Sequence, residues 1–215
     1  MQELDNNYLG WYVDIIINQE GIMIKYYTNR ELSRKLEINL AKWKRWSREF
    51  LPPDPLGGMQ SGYARQYSPD GAFTVFLGGY LVAYMKFTIP ETKQILKDLH
   101  GWLVDNGFYF LDKGDSKTSD IINNVICRYI IYIYENSLSV ERLDFYYKIR
   151  GIISDRPVDY KGCQVREKLY VETTIKQPDK KATGPDTIKV KMLNITGVRN
   201  KLLERLGLKG LMIVD

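Results

Sequence analysis

In the first half of the chain apolar residues recur three and four positions apart, and beyond residue 120 they alternate with polar ones, a change from helical to strand period. Ahead of the helical part, Tyr12-Val13-Asp14-Ile15-Ile16-Ile17 and Ile22-Met23-Ile24-Lys25-Tyr26-Tyr27 flank Asn18-Gln19-Glu20-Gly21, which predicts a β-hairpin within residues 1–27. Thr28 followed by Glu31 is a capping-box pattern, and Leu32 and Leu36 come next at helical spacing, so a first helix is expected over about 29–36. Asn39 can cap a second helix over 39–49, with Leu40, Trp43 and Phe50 on its apolar side and Pro52-Pro53 as its stop. The turn-rich stretch from Asp54 to Gly62 then leads into Tyr63-Ala64-Arg65-Gln66-Tyr67, an extended segment that reads as a wing over 57–67.

Ser68 and Pro69 mark the start of a third helix, in which Phe73, Phe76, Leu77, Tyr80, Leu81 and Tyr84 form one apolar stripe. Thr88, Pro90 and Glu91 open a fourth, with Ile95, Leu96, Leu99 and Leu103 along one side and Gly107 just past its end. After the polar stretch 112–120 come strand candidates at 122–134, 165–174 and 188–193, and one in which Leu143, Phe145, Tyr147 and Ile149 alternate with charged or tyrosine residues. Four antiparallel strands are expected there. The segment 176–186 is too polar to pack, and Thr196 is placed to cap a last helix whose Val198, Leu202, Leu203 and Leu206 would cover the sheet.

The fold class expected is α+β. An N-terminal β-hairpin (1–27) precedes a winged helix-turn-helix of about four helices (28–111), and a smaller antiparallel β-rich domain with a C-terminal helix (121–215) follows.

Composition narrows the class. At 215 residues and 44% hydrophobic the chain can build a real core and is too apolar for a disordered tail. Its longest apolar runs fall far short of the roughly 20 residues a membrane-spanning helix needs, so no membrane partner is expected. The acidic start, with no apolar run behind it, is unlike a secretory leader, which points to the cytoplasm. Cys127 and Cys163 are the only cysteines, too few for a disulfide framework.

Charge position says more than the net +5. Nine Lys/Arg between Lys25 and Arg65 face only Glu31, Glu37, Glu49 and Asp54. Lys42, Lys44, Arg45 and Arg48 fall within the second helix, interleaved with Trp43 and Trp46, so one short element would offer phosphate-neutralising charge and flat aromatic surface. The plain alternative is a solvated basic helix face.

The order of several features resembles the DNA-binding domain of the MerR family of bacterial transcriptional regulators, from Tyr27 to Leu99. Leu32-Ser33 stand at its Leu-Ala pair, Ile38 at its apolar turn residue, Trp43-Lys44-Arg45-Trp46 at the Leu-Arg-aromatic-Tyr run of its recognition helix, and Pro52-Pro53 at the prolines that end that helix. Arg65-Gln66-Tyr67-Ser68-Pro69-Asp70 is similar to the wing's Arg-x-Tyr-Ser and following acid, and Phe87 to Leu96, with Glu91 and Ile95, to the helix after it. Lys44 replaces the usual arginine, which keeps the charge and loses the bidentate fork; Ser47 replaces an acid, and a glycine of the second helix is missing. Gly107-Phe108-Tyr109-Phe110 and the polar stretch interrupt the heptads of the family's dimerisation helix, so a homodimer would form through the C-terminal β-rich domain instead.

The resemblance implies a sequence-specific regulator that binds double-stranded DNA with the recognition helix 39–49 in the major groove and the wing 57–67 on the backbone. Asn39, Lys42 and Arg45 are the candidates for base-edge contact, and Lys44, Arg48, Tyr63 and Arg65 for phosphate. The alternative is an architectural or protein-interaction module, a phage, plasmid or chromosome-organising factor, that keeps the winged fold as a scaffold. No enzyme, metal site or cofactor is expected. His100 is the only histidine, the cysteines lie far from it in sequence, and Gly78-Gly79 sits in an apolar helix without a phosphate-loop pattern. Many of the sixteen tyrosines fall in the β half, among them Tyr129, Tyr132, Tyr134, Tyr146, Tyr147 and Tyr170; these six fit half-buried strand positions, or an aromatic cage for a small-molecule effector of unknown identity.

Overall fold

The computed structural model describes residues 17–18, 21–22, 26–54, 65–109, 126, 128–135, 145–176 and 189–208. The protein is α+β, and among the described residues it has five helices and eight strands, every strand pair antiparallel. Strands β1 (Ile17–Asn18) and β2 (Gly21–Ile22) pair with Asn18 opposite Gly21, the register of the expected hairpin, whose remaining residues lie outside those described. Strand β3 (Tyr27–Thr28) leads into helices α1 (Asn29–Leu36) and α2 (Leu40–Phe50) and pairs with β4 (Gln66–Tyr67). Helices α3 (Pro69–Ala83) and α4 (Ile89–Asp105) follow, then β5 (Arg128–Glu135), β6 (Phe145–Tyr160), β7 (Cys163–Ile175), β8 (Lys189–Asn194) and α5 (Ile195–Leu206).

Local chemistry accounts for the helix limits. The Thr28 hydroxyl accepts from the Glu31 N–H (3.3 Å) and the Glu31 carboxylate accepts from the Thr28 N–H (2.7 Å), while Thr88 and Glu91 repeat the device on α4. α4 closes with Gly107 in the left-handed region at φ 69° and Phe108 N–H bonded back to the Leu103 carbonyl (2.9 Å). α5 differs from expectation. Asn194, not Thr196, caps it by accepting from the Gly197 N–H (2.9 Å), and the buried Thr196 hydroxyl accepts from the Tyr129 N–H of β5 (2.8 Å) instead.

The chain forms two compact units, Met1–Phe76 with Asn200–Met212 and Leu77–Arg199 with Ile213–Asp215, the division falling inside α3 and inside α5. The polar stretch 112–120 lies outside the described residues. The first unit buries Leu32, Leu36, Trp43, Trp46, Tyr67, Phe73, Leu202 and Leu203. In it the end of α5 meets α1: Lys35 Nζ donates to the Leu206 carbonyl (3.5 Å) and Arg205 pairs with Glu37 (2.6 Å). Leu202, Leu203 and Leu206, expected to cover the sheet, are buried and fall in this first unit.

The second unit holds α4 and the four-stranded sheet in the order β7-β6-β5-β8. Alternation places Tyr129, Ile131, Ile133, Phe145, Tyr147 and Ile149 inward and buried, as the sequence pattern requires. Phe87 meets Phe145 edge-on (5.9 Å), and the Tyr147 hydroxyl donates to Asp98 of α4 (2.9 Å), which also takes Gln94 (2.8 Å) and the Lys176 ammonium (2.5 Å). The α3 stripe is core at Phe73, Leu77 and Leu81, whereas Tyr84 lies past the helix end and is exposed.

β6 runs well beyond the strand read from the sequence, whereas β7 nearly matches the expected 165–174; the two are joined by Lys161 and Gly162, both in the left-handed region at φ 54° and 79°. A register shift between Ile152 and Ser154 marks where this hairpin leaves the sheet, since β5 ends opposite Ile152. Cross-strand ion pairs Arg156–Glu167 (2.8 Å) and Arg166–Asp155 (2.9 Å) hold the arm, and Arg128 also reaches Asp155 (2.6 Å).

Candidate nucleic-acid interface

α2 is two-sided. Trp43, Trp46 and Ser47 are buried, and Ala41, Lys42, Lys44, Arg45 and Arg48 are exposed. Positions 41, 44, 45 and 48 lie three or four apart and therefore share one face of the helix, with Lys42 beside it. Among the described residues none of these four cations forms an ion pair. Lys42 alone has a recorded side-chain contact, its ammonium lying 4.9 Å from the centre of the Trp46 ring. The first turn of α2 contains no acid, so the positive end of the helix adds to the field of the lysines.

The buried side fixes that face in place. Trp43 meets Tyr67 edge-on (5.7 Å), and the Tyr67 hydroxyl is bonded to Ser47 Oγ (2.8 Å) and Asn29 Oδ1 (2.6 Å), which ties β4 to both helices. Across the short connection, Ser33 Oγ donates to the Ile38 carbonyl (2.7 Å) and the Ile38 N–H returns to the Ser33 carbonyl (3.0 Å). Both bonds lock the angle between α1 and α2.

The residues chosen from sequence separate into groups. Lys42, Lys44, Arg45 and Arg48 gather on α2 as expected. Asn39 is the N-cap of α2: its Oδ1 accepts from the N–H groups of Ala41 (2.9 Å) and Lys42 (3.3 Å), which assigns that oxygen to the helix rather than to a base. The Arg65 guanidinium donates to the Pro52 carbonyl (2.8 Å) and lies 5.7 Å from the Tyr67 ring centre, bracing the segment before β4 against the end of α2. Tyr63 and residues 57–64 of the wing lie outside the described residues. The flat aromatic surface expected of Trp43 and Trp46 is absent from the exposed side, because both indoles are packed inward. Ser47 went unnoticed in the sequence except as a missing acid; its place four residues after Trp43, on the same side of the helix, is the local hint of an inward position.

The six tyrosines singled out in the β half do not line one cavity. Strand alternation sends Tyr129 and Tyr147 inward and the other four to the opposite face, where Tyr134 stacks on Tyr146 (4.4 Å) and Arg150 lies between Tyr132 (5.0 Å) and Tyr170 (4.6 Å). Arg150 also bonds Glu172 (2.7 Å), which raises its pKa above the ordinary arginine value. Among the described residues no three His, Cys, Asp or Glu side chains gather as a metal site, and no helix is long and apolar enough to cross a membrane.

No protein-family model matches this chain, and neither a curated protein nor a solved structure is significantly similar to it.

Proposed function

We propose that the protein is a sequence-specific double-stranded-DNA-binding transcriptional regulator of MerR-like type, with α2 in the major groove and the segment before β4 on the flanking backbone. The observation that carries this reading is the exposed face of α2, where Lys42, Lys44, Arg45 and Arg48 project from a helix whose other side is held by Tyr67 and Ser47. Cations that have no acidic partner among the described residues are available to phosphate and base edges. Lys42 and Arg45 are the base-reading candidates, and Lys44, Arg48 and Arg65 the phosphate contacts.

Selection of bound fragments from random-sequence DNA at a stated salt concentration tests the reading. A regulator enriches a short site; binding without enrichment favours the architectural module, a reading to which the exposed β6–β7 arm lends support. On the selected site Arg45→Ala is expected to cost about 1–3 kcal/mol and much less on random DNA. Arg65→Ala is expected to weaken all sequences alike and to lower the salt slope by about one. Equal losses on both DNAs for Arg45→Ala would remove it from base reading.

A further inference from the structure

The two edges of the four-stranded sheet are built differently. At one end β8 has six residues and carries Lys189 and Lys191, both held to Glu135 (3.5 and 3.3 Å). On the arm, β6 bears Pro157 and the register shift at Ile152/Ser154. Short strands, lysines, prolines and bulges all discourage a foreign strand from adding to an edge. The end strand β7 is long, with 13 residues, has no proline and carries a single lysine, Lys168; every residue but Ile175 is exposed, and Val165, Leu169, Tyr170 and Val171 are large apolar side chains left in the open.

The charges of β7 are self-complementary. We propose that β7 pairs antiparallel with β7 of a second copy of this chain, about a two-fold axis at Leu169, so that two four-stranded sheets become one of eight strands. That register opposes all 13 residues and matches like faces: Arg166 lies opposite the second copy's Glu172, Lys168 opposite its Tyr170, and Leu169 opposite its own equivalent. An axis at Glu167 or Lys168 sets like charges against each other. An axis at Tyr170 opposes Lys168 and Glu172 but leaves Cys163 and Gln164 without opposite residues. The pairing does not depend on DNA binding by α2 and is measured without DNA.

Sedimentation velocity on the full chain over a dilution series should show a reversible dimer. Arg166→Glu and Glu172→Arg should each weaken it about tenfold, because each reversal turns two attractive cross-strand pairs into repulsive ones, and the double reversal should restore it. Circular dichroism checks that each variant is folded, since Glu172 also holds Arg150. Independently, Leu169→Cys in a chain with Cys127→Ser and Cys163→Ser should cross-link to its equivalent under mild oxidation, directly opposed strand residues lying within disulfide reach. A wild-type monomer at every concentration, a dimer indifferent to both single reversals, or cross-linking at Tyr170→Cys in place of Leu169→Cys overturns the proposal.

Discussion

Thr28 and Glu31 satisfy two backbone donors at the start of α1 with side chains three residues apart, and such a device is legible in sequence because nothing distant is needed to complete it. Thr28→Ala should lower stability by about 1 kcal/mol in chemical denaturation. The Thr28 backbone N–H, and after it the Thr28 hydroxyl, hold the Glu31 carboxyl below the ordinary glutamate value. Its stabilising share is therefore complete above the unfolded glutamate pKa and lost as pH falls through the lower folded one, so Glu31→Gln should flatten the acid limb of a stability–pH curve. Tyr129 shows the opposite case: burial pushes its hydroxyl up from 10.0 to about 12, so its contribution is full below 10 and declines as pH rises toward 12. An ultraviolet titration should find one tyrosine ionising late. At α5 the sequence pointed to Thr196 as the cap, and Asn194 takes that role instead. The choice turned on where β8 stops against β5, which no local rule contains.

Each element was more legible the more of its partners were local. α2 was foreseen within a residue at either end, but the flat surface expected of Trp43 and Trp46 is buried, and the burial of Trp43 depends on Tyr67 of β4, which returns from beyond residue 65. Tyr67→Phe tests that dependence: it deletes the hydroxyl bonded to Ser47 and Asn29, and the loss of a buried hydrogen-bonded group should cost about 1–3 kcal/mol in thermal or chemical unfolding. Of the candidate site, the α2 cations and the capping use of Asn39 were visible in the sequence, while the bracing use of Arg65 needed the chain to return at β4 beside Pro52. The far half of β6 was hidden for a related reason. It carries Pro157, and its Asp155 and Arg156 become favourable only once they face Arg166 and Glu167 of β7. Burial pushes the Asp155 carboxyl up, but the Arg166 hydrogen bond and the charges of Arg166, Lys168 and Arg128 bring it below the ordinary aspartate value.

For the whole molecule the α+β class, the sheet and the order of helices followed from periodicity, while the division into units did not, since it falls inside two helices that read as continuous. Helical spacing reports that a stripe is buried and is silent on what buries it. The strand order itself carries a last consequence. β6 and β7 meet across a two-residue turn, whereas β8 pairs with β5 at the opposite edge of the sheet from β7, the strand that precedes it in the chain. Closing that long loop is the entropically slower step, so the sheet should assemble from its hairpin outward and add β8 last. In native-state deuterium exchange the amides of β5 and β6, flanked on both sides, should then be retained longest, and those of β8 should be surrendered well before them.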